Sequence, residues 1–399
     1  MRTNVRSVLV ITEHMNLGGR ERYTFNLVRA LHERGVKVAL ISRGGKMLGH
    51  LPKEIPVHVL PLARSGPIHR AAQRRVYEIA EAIGAELIHA QTKTALVCAD
   101  LAHEKLGIPV IDHEHHLYRT DRYPVVIAEL SAHAEHVITT GPFMRERLLE
   151  EGLDAARVTS VALGVSLTDY PKLAASERAE ARARLGLTDA DKAVLSVSRI
   201  VHGKGLMRLA EAFVEVAQAV PEAKLMIVGD VTDEDLKREL MQLRRTEKLS
   251  NRFRIYPGAF DVRRYLAAAD VFSYPVIAKG LSVMEAMATS LPIVANVTNR
   301  KPVLVADGVE GLLTRSTSEH LIDPGEIAKK LTYLLTHPAQ MRKMGKAARM
   351  KIEHGYSFEH HLDGILKVYR QVLLSTAKGN LPARTAPKKA PKGLSLHGL

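Results

Sequence analysis

Lys192-Ala193-Val194-Leu195-Ser196-Val197-Ser198-Arg199-Ile200-Val201-His202-Gly203-Lys204-Gly205 decides the fold. Residues 192–198 form a short apolar, β-branched run of strand length, and residues 205–220 repeat their apolar positions at helical spacing. Two glycines lie in the turn between them. In open parallel sheets, ligands bind beyond the carboxyl ends of the strands. Arg199 offers a planar fork and Lys204 a compact charge at such a strand end. That pair suits a charge-assisted clamp on a diphosphate. The same two residues could also serve as surface ion-pair partners.

Outward from this stretch the pattern repeats in both directions. Strands are expected at 7–12, 36–42, 57–61, 86–91, 109–114, 136–140 and 158–164, with helices such as 20–34 and 69–84 between them. Beyond 192–198, strands are expected at 223–229, 253–257, 271–274 and 292–297. Helices are expected at 205–220, 233–249, 261–269 and 282–289, and then at 326–336, 339–354 and 358–375. Strand-helix alternation implies parallel strands covered by helices on both faces. The stretch 166–191, rich in Ala, Arg and Glu, interrupts the pattern and is taken as the boundary between halves. A chain of 399 residues is also too long for one ordinary core. The expected fold is therefore α/β, with two Rossmann-like doubly wound domains (1–168 and 169–357) and a cleft between them.

Composition narrows the classes. No apolar run approaches the ~18–20 residues that span a bilayer, and the N-terminal run, closed by Glu13 and His14, is not read as a signal peptide. Cys98 is the only cysteine, which excludes an internal disulfide and a cysteine-based zinc cluster. It falls in a helical apolar pattern with Ala95, Leu96, Ala99 and Leu101, and is read as core. The cytoplasm is the expected compartment. The net charge of +14 favours anionic partners. Part of it lies in residues 376–399, a basic tail interleaved with Pro382, Pro387 and Pro391 that is expected to be disordered. It is read as solvated or as a membrane tether. Aromatics are 5% of the chain and tryptophan is absent, so stacking platforms for nucleic acid are scarce. No nucleic acid is expected as a partner.

Three further features carry chemistry. Gly18 and Gly19 follow the first strand and precede a helix whose free amides suit an anion. The spacing is not G-x-G-x-x-G, and the second strand ends in Ile41-Ser42-Arg43 with no acid for a dinucleotide ribose, against a dehydrogenase. Next, Pro275 is expected to end a strand, followed by a loop through Gly280 and Leu281 and a helix opening near Ser282. That helix would present amides to phosphate. Glu285, read as lying in its first turn, could accept two hydrogen bonds from a ribose diol or simply suit the helix dipole. Finally, Asp112-His113-Glu114-His115-His116 ends a strand. His113 and His115 should share one face, with Asp112, Glu114 and His116 on the other. Two histidines without a third ligand make a poor metal site, so no metal is assigned. His115 is read as a sugar contact or a structural residue.

These segments resemble glycosyltransferase family 4, of GT-B fold, across about residues 5–375. The resemblance rests on Gly18-Gly19-Arg20-Glu21-Arg22, Pro109 to His115, Val194 to Arg199 with Lys204-Gly205, Ala269-Asp270-Val271-Phe272, Glu285-Ala286-Met287-Ala288 with Leu291 to Ala295, and Asp307-Gly308-Val309-Glu310-Gly311-Leu312-Leu313. It implies a retaining, metal-independent transferase that uses a nucleoside-diphosphate sugar and no cofactor. By resemblance, Arg199 and Lys204 bind the donor pyrophosphate, Glu285 the ribose, Gly18 and Gly19 approach phosphate and acceptor, and His115 contacts the transferred sugar. The helix 358–375 would cross back to the first domain. One departure stands out. The family shows two glutamates separated by seven residues, and here Ile277 occupies the first position, removing a carboxylate from the sugar end. The usual Asn-Gly before Val165 is also lost.

The expected acceptor is a glycan or glycolipid precursor of the cell surface, of lipopolysaccharide or capsule type. Arg43, Arg64, Arg70, Arg74 and Arg75 suggest an anionic acceptor or an anionic membrane surface, and Arg70 and Arg74 are one helical turn apart. The alternatives are a nucleotide-sugar epimerase on the same fold, and a catalytically weakened, glycosyltransferase-like binding protein.

Overall fold

The computed structural model describes residues 5–277, 280–297, 304–316, 322–380 and 384–385. It forms two compact units, Met1–Leu163 with Glu359–Leu399, and Gly164–Phe358.

The first unit runs β1 (Ser7–Ile11), α1 (Gly19–Glu33), β2 (Lys37–Ser42), β3 (Val57–Val59), α2 (Gly66–Ile83), β4 (Leu87–Ala90), α3 (Lys93–Cys98), α4 (Asp100–Leu106), β5 (Val110–Glu114), α5 (Tyr123–His133), β6 (His136–Thr139), α6 (Pro142–Glu150) and β7 (Val158–Ser160). The strands order β3-β2-β1-β4-β5-β6-β7, with parallel neighbours. Every residue of β1 and β5 is buried, as expected for strands covered on both faces. The core gathers Leu9, Ile11, Ile41, Val76, Ile79, Leu96, Val126 and Leu148, and Cys98 is buried among them. Helix α2 shows how local sequence sets an element. Pro67 opens it, Gly84 closes it in the left-handed region, and Ala72, Val76, Ile79 and Ala80 are buried. Arg70, Arg74 and Arg75 are exposed.

The second unit runs α7 (Ala175–Arg184), β8 (Lys192–Val197), α8 (Leu206–Ala219), β9 (Ala223–Val228), α9 (Glu234–Thr246), β10 (Phe253–Tyr256), α10 (Arg263–Ala268), β11 (Val271–Ile277), α11 (Leu281–Ala288), β12 (Ile293–Val297), β13 (Gly311–Arg315), α12 (Pro324–Thr336) and α13 (Pro338–Gly355). Its parallel sheet orders β10-β9-β8-β11-β12-β13. The final helix, α14 (Phe358–Ala377), belongs to the first unit from Glu359 onward.

Three expectations need correction, and one stretch gains an element. The stretch 166–191 is taken as the boundary between halves. It contains α7, whose Arg178 and Arg182 donate to Asp270 and to the carbonyls of Ala267 and Ala268. Strand β11 continues past Pro275 to Ile277, with a register shift between Tyr274 and Ile277, the kind of irregularity that tolerates a proline in a sheet. The 158–164 strand pairs only through Ser160. Strand β13 was not foreseen. It begins in the Asp307–Leu313 motif, whose Gly308 takes φ +78° and whose Gly311 would, with a Cβ, meet the Ile293 carbonyl at 1.9 Å. Asp307 accepts from the Leu313 amide and Glu310 from the Ala306 amide, so the motif builds a turn into an edge strand.

Most of the basic tail lies outside the described residues. Residues 376–380 continue from α14, and beyond them two residues are placed. Arg384 pairs with Asp100 and Glu135, and the Thr385 amide donates to the Ser131 carbonyl. The expectation of a disordered tail fails at these two positions, because a guanidinium held by two acids is anchored.

Candidate active site

In the second unit the strand order reverses between β8 and β11, since β8 lies between β9 and β11. A ligand crevice is expected at such a switch point. The loop leaving β8 carries Arg199 and Lys204. The Ser198 amide donates to the Val228 carbonyl (3.1 Å), the Ile200 amide to the Asp230 carbonyl (2.9 Å) and the Thr232 amide to the Ile200 carbonyl (3.1 Å). Ile200 is buried, Arg199 is exposed and Lys204 is half-buried. Gly205 has φ +65°, and a Cβ there would lie 3.0 Å from the Pro275 carbonyl oxygen. Glycine is required here both for its conformation and for the close approach of β11. The structure therefore brings the 198–205 loop against the strand that leads to Gly280.

Helix α11 opens at Leu281, one residue earlier than expected, after Gly280 at φ +119°. The first amides of a helix have no partner one turn back, and Gly280, Leu281 and Ser282 stand at this helix start. Glu285 is the fifth residue of this helix, in its second turn, and is only 6% exposed. The expectation that it sits in the first turn and gains from the helix dipole is overturned, because the dipole effect fades beyond that turn. Ala278 and Lys279 lie outside the described residues.

In the first unit the order reverses between β1 and β4. Gly18 caps α1 with extended backbone (φ −169°), and Gly19 begins the helix. Neither takes a positive φ, so neither position needs glycine for a left-handed turn. A Cβ on Gly18 would meet only the Glu21 carboxylate, and one on Gly19 would meet nothing within 4 Å. Next to this loop lies a cavity of about 380 Å³, lined among others by Arg20, Arg64, Gln91, Lys93, Glu114 and Arg122.

The walls of this cavity hold a buried cation, Lys93, that the sequence did not announce. Lys93, 7% exposed, places its ammonium 2.7 Å from Asp112 and 2.8 Å from Glu114. Burial opposes its charge, but the two carboxylates prevail and raise its pKa well above the usual lysine value. Burial pushes the Asp112 carboxyl up to about 6, against the pull of Lys93 and with Glu114 adding repulsion. Tyr118 donates to Glu114 at 2.9 Å. The expected alternation at the end of β5 holds, with Asp112 and Glu114 meeting Lys93 while the rings of His113 and His115 stack 4.4 Å apart.

The imidazoles are neutral, and their tautomers follow from their partners. His361 Nδ1 lies 2.6 Å from the Ala162 carbonyl oxygen, which can only accept, so Nδ1 donates. Its Nε2 then accepts from Tyr23 Oη (3.1 Å), and Tyr23 accepts from His113 Nδ1 (3.1 Å). His115 Nε2 donates to Gln91 Oε1 at 2.7 Å. Burial and the neighbouring imidazoles hold His113 well below the usual histidine pKa. Burial, His116 and Arg20 do the same for His115. Among the described residues no group of three or more His, Cys, Asp or Glu could hold a metal ion.

Thus the structure brings Arg199, Lys204, Gly280, Leu281, Ser282 and Glu285 onto one unit, and Gly18, Gly19 and His115 onto the other. Sequence reading missed Gln91, Lys93 and Arg122. The available signal was positional, since Gln91 and Lys93 follow directly after β4, a strand end beside the switch point.

Two family descriptions match the chain, "Glycosyltransferase Family 4" over residues 17–169 and "Glycosyl transferases group 1" over residues 177–351. The D-inositol 3-phosphate glycosyltransferase of Segniliparus rotundus is 25% identical over 413 residues, covering 94% of this chain and 88% of that one. A GDP-mannose-dependent monoacylated α-(1-6)-phosphatidylinositol monomannoside mannosyltransferase of Corynebacterium glutamicum is 28% identical over 206 residues, 49% of this chain and 51% of that one. That match spans about half the length of the relative. The crystal structure of Anabaena HepE with UDP and glucose superposes with a TM-score of 0.78 at 20% identity, covering 91% of this chain and 99% of that one. The chain belongs to the glycosyltransferases, with a family 4 domain followed by a group 1 domain in the GT-B fold.

Proposed function

We propose that this glycosyltransferase is retaining and metal-independent, and moves a sugar from a nucleoside-diphosphate sugar to a hydroxyl of an anionic cell-surface glycan or glycolipid precursor. The observation that carries the reading is the close approach of Gly205, at the end of the 198–205 loop, to Pro275 of β11 at the switch point of the second unit. Arg199 and Lys204 hold the diphosphate there, aided by the amides of Gly280, Leu281 and Ser282, and Glu285 takes the ribose hydroxyls. Gly18 and Gly19 admit the donor phosphate and acceptor, and the neutral His115 contacts the sugar. In the transfer, the bond from the anomeric carbon to the diphosphate oxygen breaks and a bond to the acceptor oxygen forms on the same face. The acceptor proton passes to the leaving diphosphate, so no protein base is needed. Arg199 and Lys204 offset the charge that develops on that leaving group.

The acceptor reading draws on the cavity of the first unit, where Arg20, Arg64, Arg119 and Arg122 line a wall that also carries Glu13 and the Lys93–Asp112–Glu114 triad. It also draws on the phosphorylated inositol and phosphatidylinositol acceptors in the names of two relatives. Lipopolysaccharide or capsule precursors belong to the same chemical class. The exposed arginines of α2 favour work at an anionic membrane surface.

Thermal-shift measurements against nucleoside diphosphates and their sugars test the donor reading, because a ligand of the folded state raises apparent stability. A shift with one base is expected. Arg199→Ala and Lys204→Ala should each cost about 2–4 kcal/mol of transition-state stabilisation. Wild-type turnover in both variants would refute the clamp.

A further inference from the structure

We propose that His202 is a positioning residue for the donor loop. Its imidazole, bridged to Asp233, holds the 201–204 span in the shape that presents Lys204, and thereby makes donor affinity depend on pH. This rests on the reading of Arg199 and Lys204 as diphosphate ligands.

The loop is pinned at both ends. Ile200 is buried, pairs with Val231 in an isolated bridge and exchanges backbone hydrogen bonds with Asp230 and Thr232. Gly205 is packed against Pro275. Between these pins the chain passes through Gly203 at φ +83°. A glycine in the left-handed region leaves the span with many conformations to choose among. His202 reaches out from the middle of this span, and its Nδ1 lies 2.6 Å from Asp233 Oδ2.

Asp233 is a firm anchor. It caps α9, its Oδ1 accepting from the amides of Asp235 (3.1 Å) and Leu236 (3.0 Å). Buried Leu236 and Leu240 hold that helix against the core. One carboxylate oxygen thus serves the helix and the other serves the loop.

The charges around His202 set the direction of the pH effect. From α9 and its cap it faces Asp233, Asp235 and Glu239, with Nε2 3.9 Å from Glu239. In the chain, Arg199 and Lys204 lie in the same loop and Asp230 in the adjacent β9–α9 connection. The hydrogen bond to Asp233, with the surrounding acids, raises the His202 pKa above the usual histidine value. The Leu236 amide and His202 hold Asp233 down at about 2. The charged bridge is therefore complete below about pH 6.5 and is lost as pH rises through the raised value. The imidazole is exposed, so the gain is modest, about two- to five-fold in affinity.

The test is the dissociation constant of UDP and of GDP for the full chain, by calorimetry between pH 5.5 and 9. The nucleotide titrates in this range too, so the informative quantity is the ratio of variant to wild type at each pH. His202→Ala should bind about two- to five-fold more weakly than wild type at pH 6, with the ratio shrinking towards pH 9. His202→Asn keeps a donor near the Nδ1 position but cannot titrate, so it should recover part of the low-pH loss. A ratio of one at pH 6, or one that does not change with pH, overturns the proposal. Lys204→Ala separates the two failures. If Lys204→Ala weakens nucleotide binding while His202→Ala does not, the bridge alone is wrong. If Lys204→Ala binds like wild type, the donor-site reading itself falls.

Discussion

Single residues in this protein differ in how far their sequence neighbourhood announces them. The place of Arg199 and Lys204 in the loop after β8 is legible because the strand period of 192–198 gives way to the helical period of 205–220 on either side of them. Glu285 was legible as a residue but not in its setting. A helix start one residue earlier moves it out of the first turn and away from the dipole. Lys93 was not legible at all. Nothing within its own segment signals that Asp112 and Glu114, on a different strand, will enclose it. Its removal would leave two carboxylates buried without their cation. Breaking a buried ion pair on one side costs about 3–5 kcal/mol, and Lys93→Ala should lose stability on that scale in urea unfolding. A loss within about 0.5 kcal/mol of wild type, typical of surface substitutions, would show that the triad is solvated in solution.

At the scale of elements, the histidine cluster joins parts of the chain that are far apart in sequence. Tyr23 comes from α1, His89 from β4, His113 from β5, and His361 and Tyr369 from α14. Residues Leu362, Ile365, Leu366, Tyr369 and Val372 give α14 a buried stripe at helical spacing. The shared face of His113 and His115 could be read from strand alternation, whereas their partners on α14 could not. Burial, with His361 nearby, lowers the His89 pKa to about 3, and burial lowers that of His361 to about 4. In the unfolded chain both titrate near 6.5. Below that pH the unfolded state binds protons that the native state refuses, so stability falls as pH drops from about 6.5 towards 4. Each such histidine contributes about 1.4 kcal/mol per pH unit across that window. The urea midpoint should therefore drop between pH 7 and pH 5, and Tyr369→Phe, which leaves His89 buried, should keep that slope. A midpoint that does not change over this range would contradict neutral burial of the cluster.

At the scale of the whole molecule, the charge of +14 is the property most directly read from composition. Among the described residues no helix is long and apolar enough to cross a membrane, and the proposed work at an anionic surface rests on the exposed Arg70, Arg74 and Arg75 of α2. The protein should float with anionic vesicles at low ionic strength and be released by high salt. Arg70→Glu together with Arg74→Glu should weaken that binding, and indifference to salt or to these changes would count against a membrane role. The fold itself was largely present in the alternation of strand and helix periods, because those periods follow from local backbone geometry and side-chain burial. The missed β13 shows the limit, since its start depends on Gly311 fitting against the Ile293 carbonyl of a neighbouring strand. By itself the sequence determined two parallel α/β units, the loop cations at 199 and 204 and the paired faces at the end of β5. Only the tertiary structure decided which strands are neighbours, and hence where each sheet reverses and which loops converge there. Local periodicity says that a segment is a strand, but strand order is a non-local choice made by packing between distant segments.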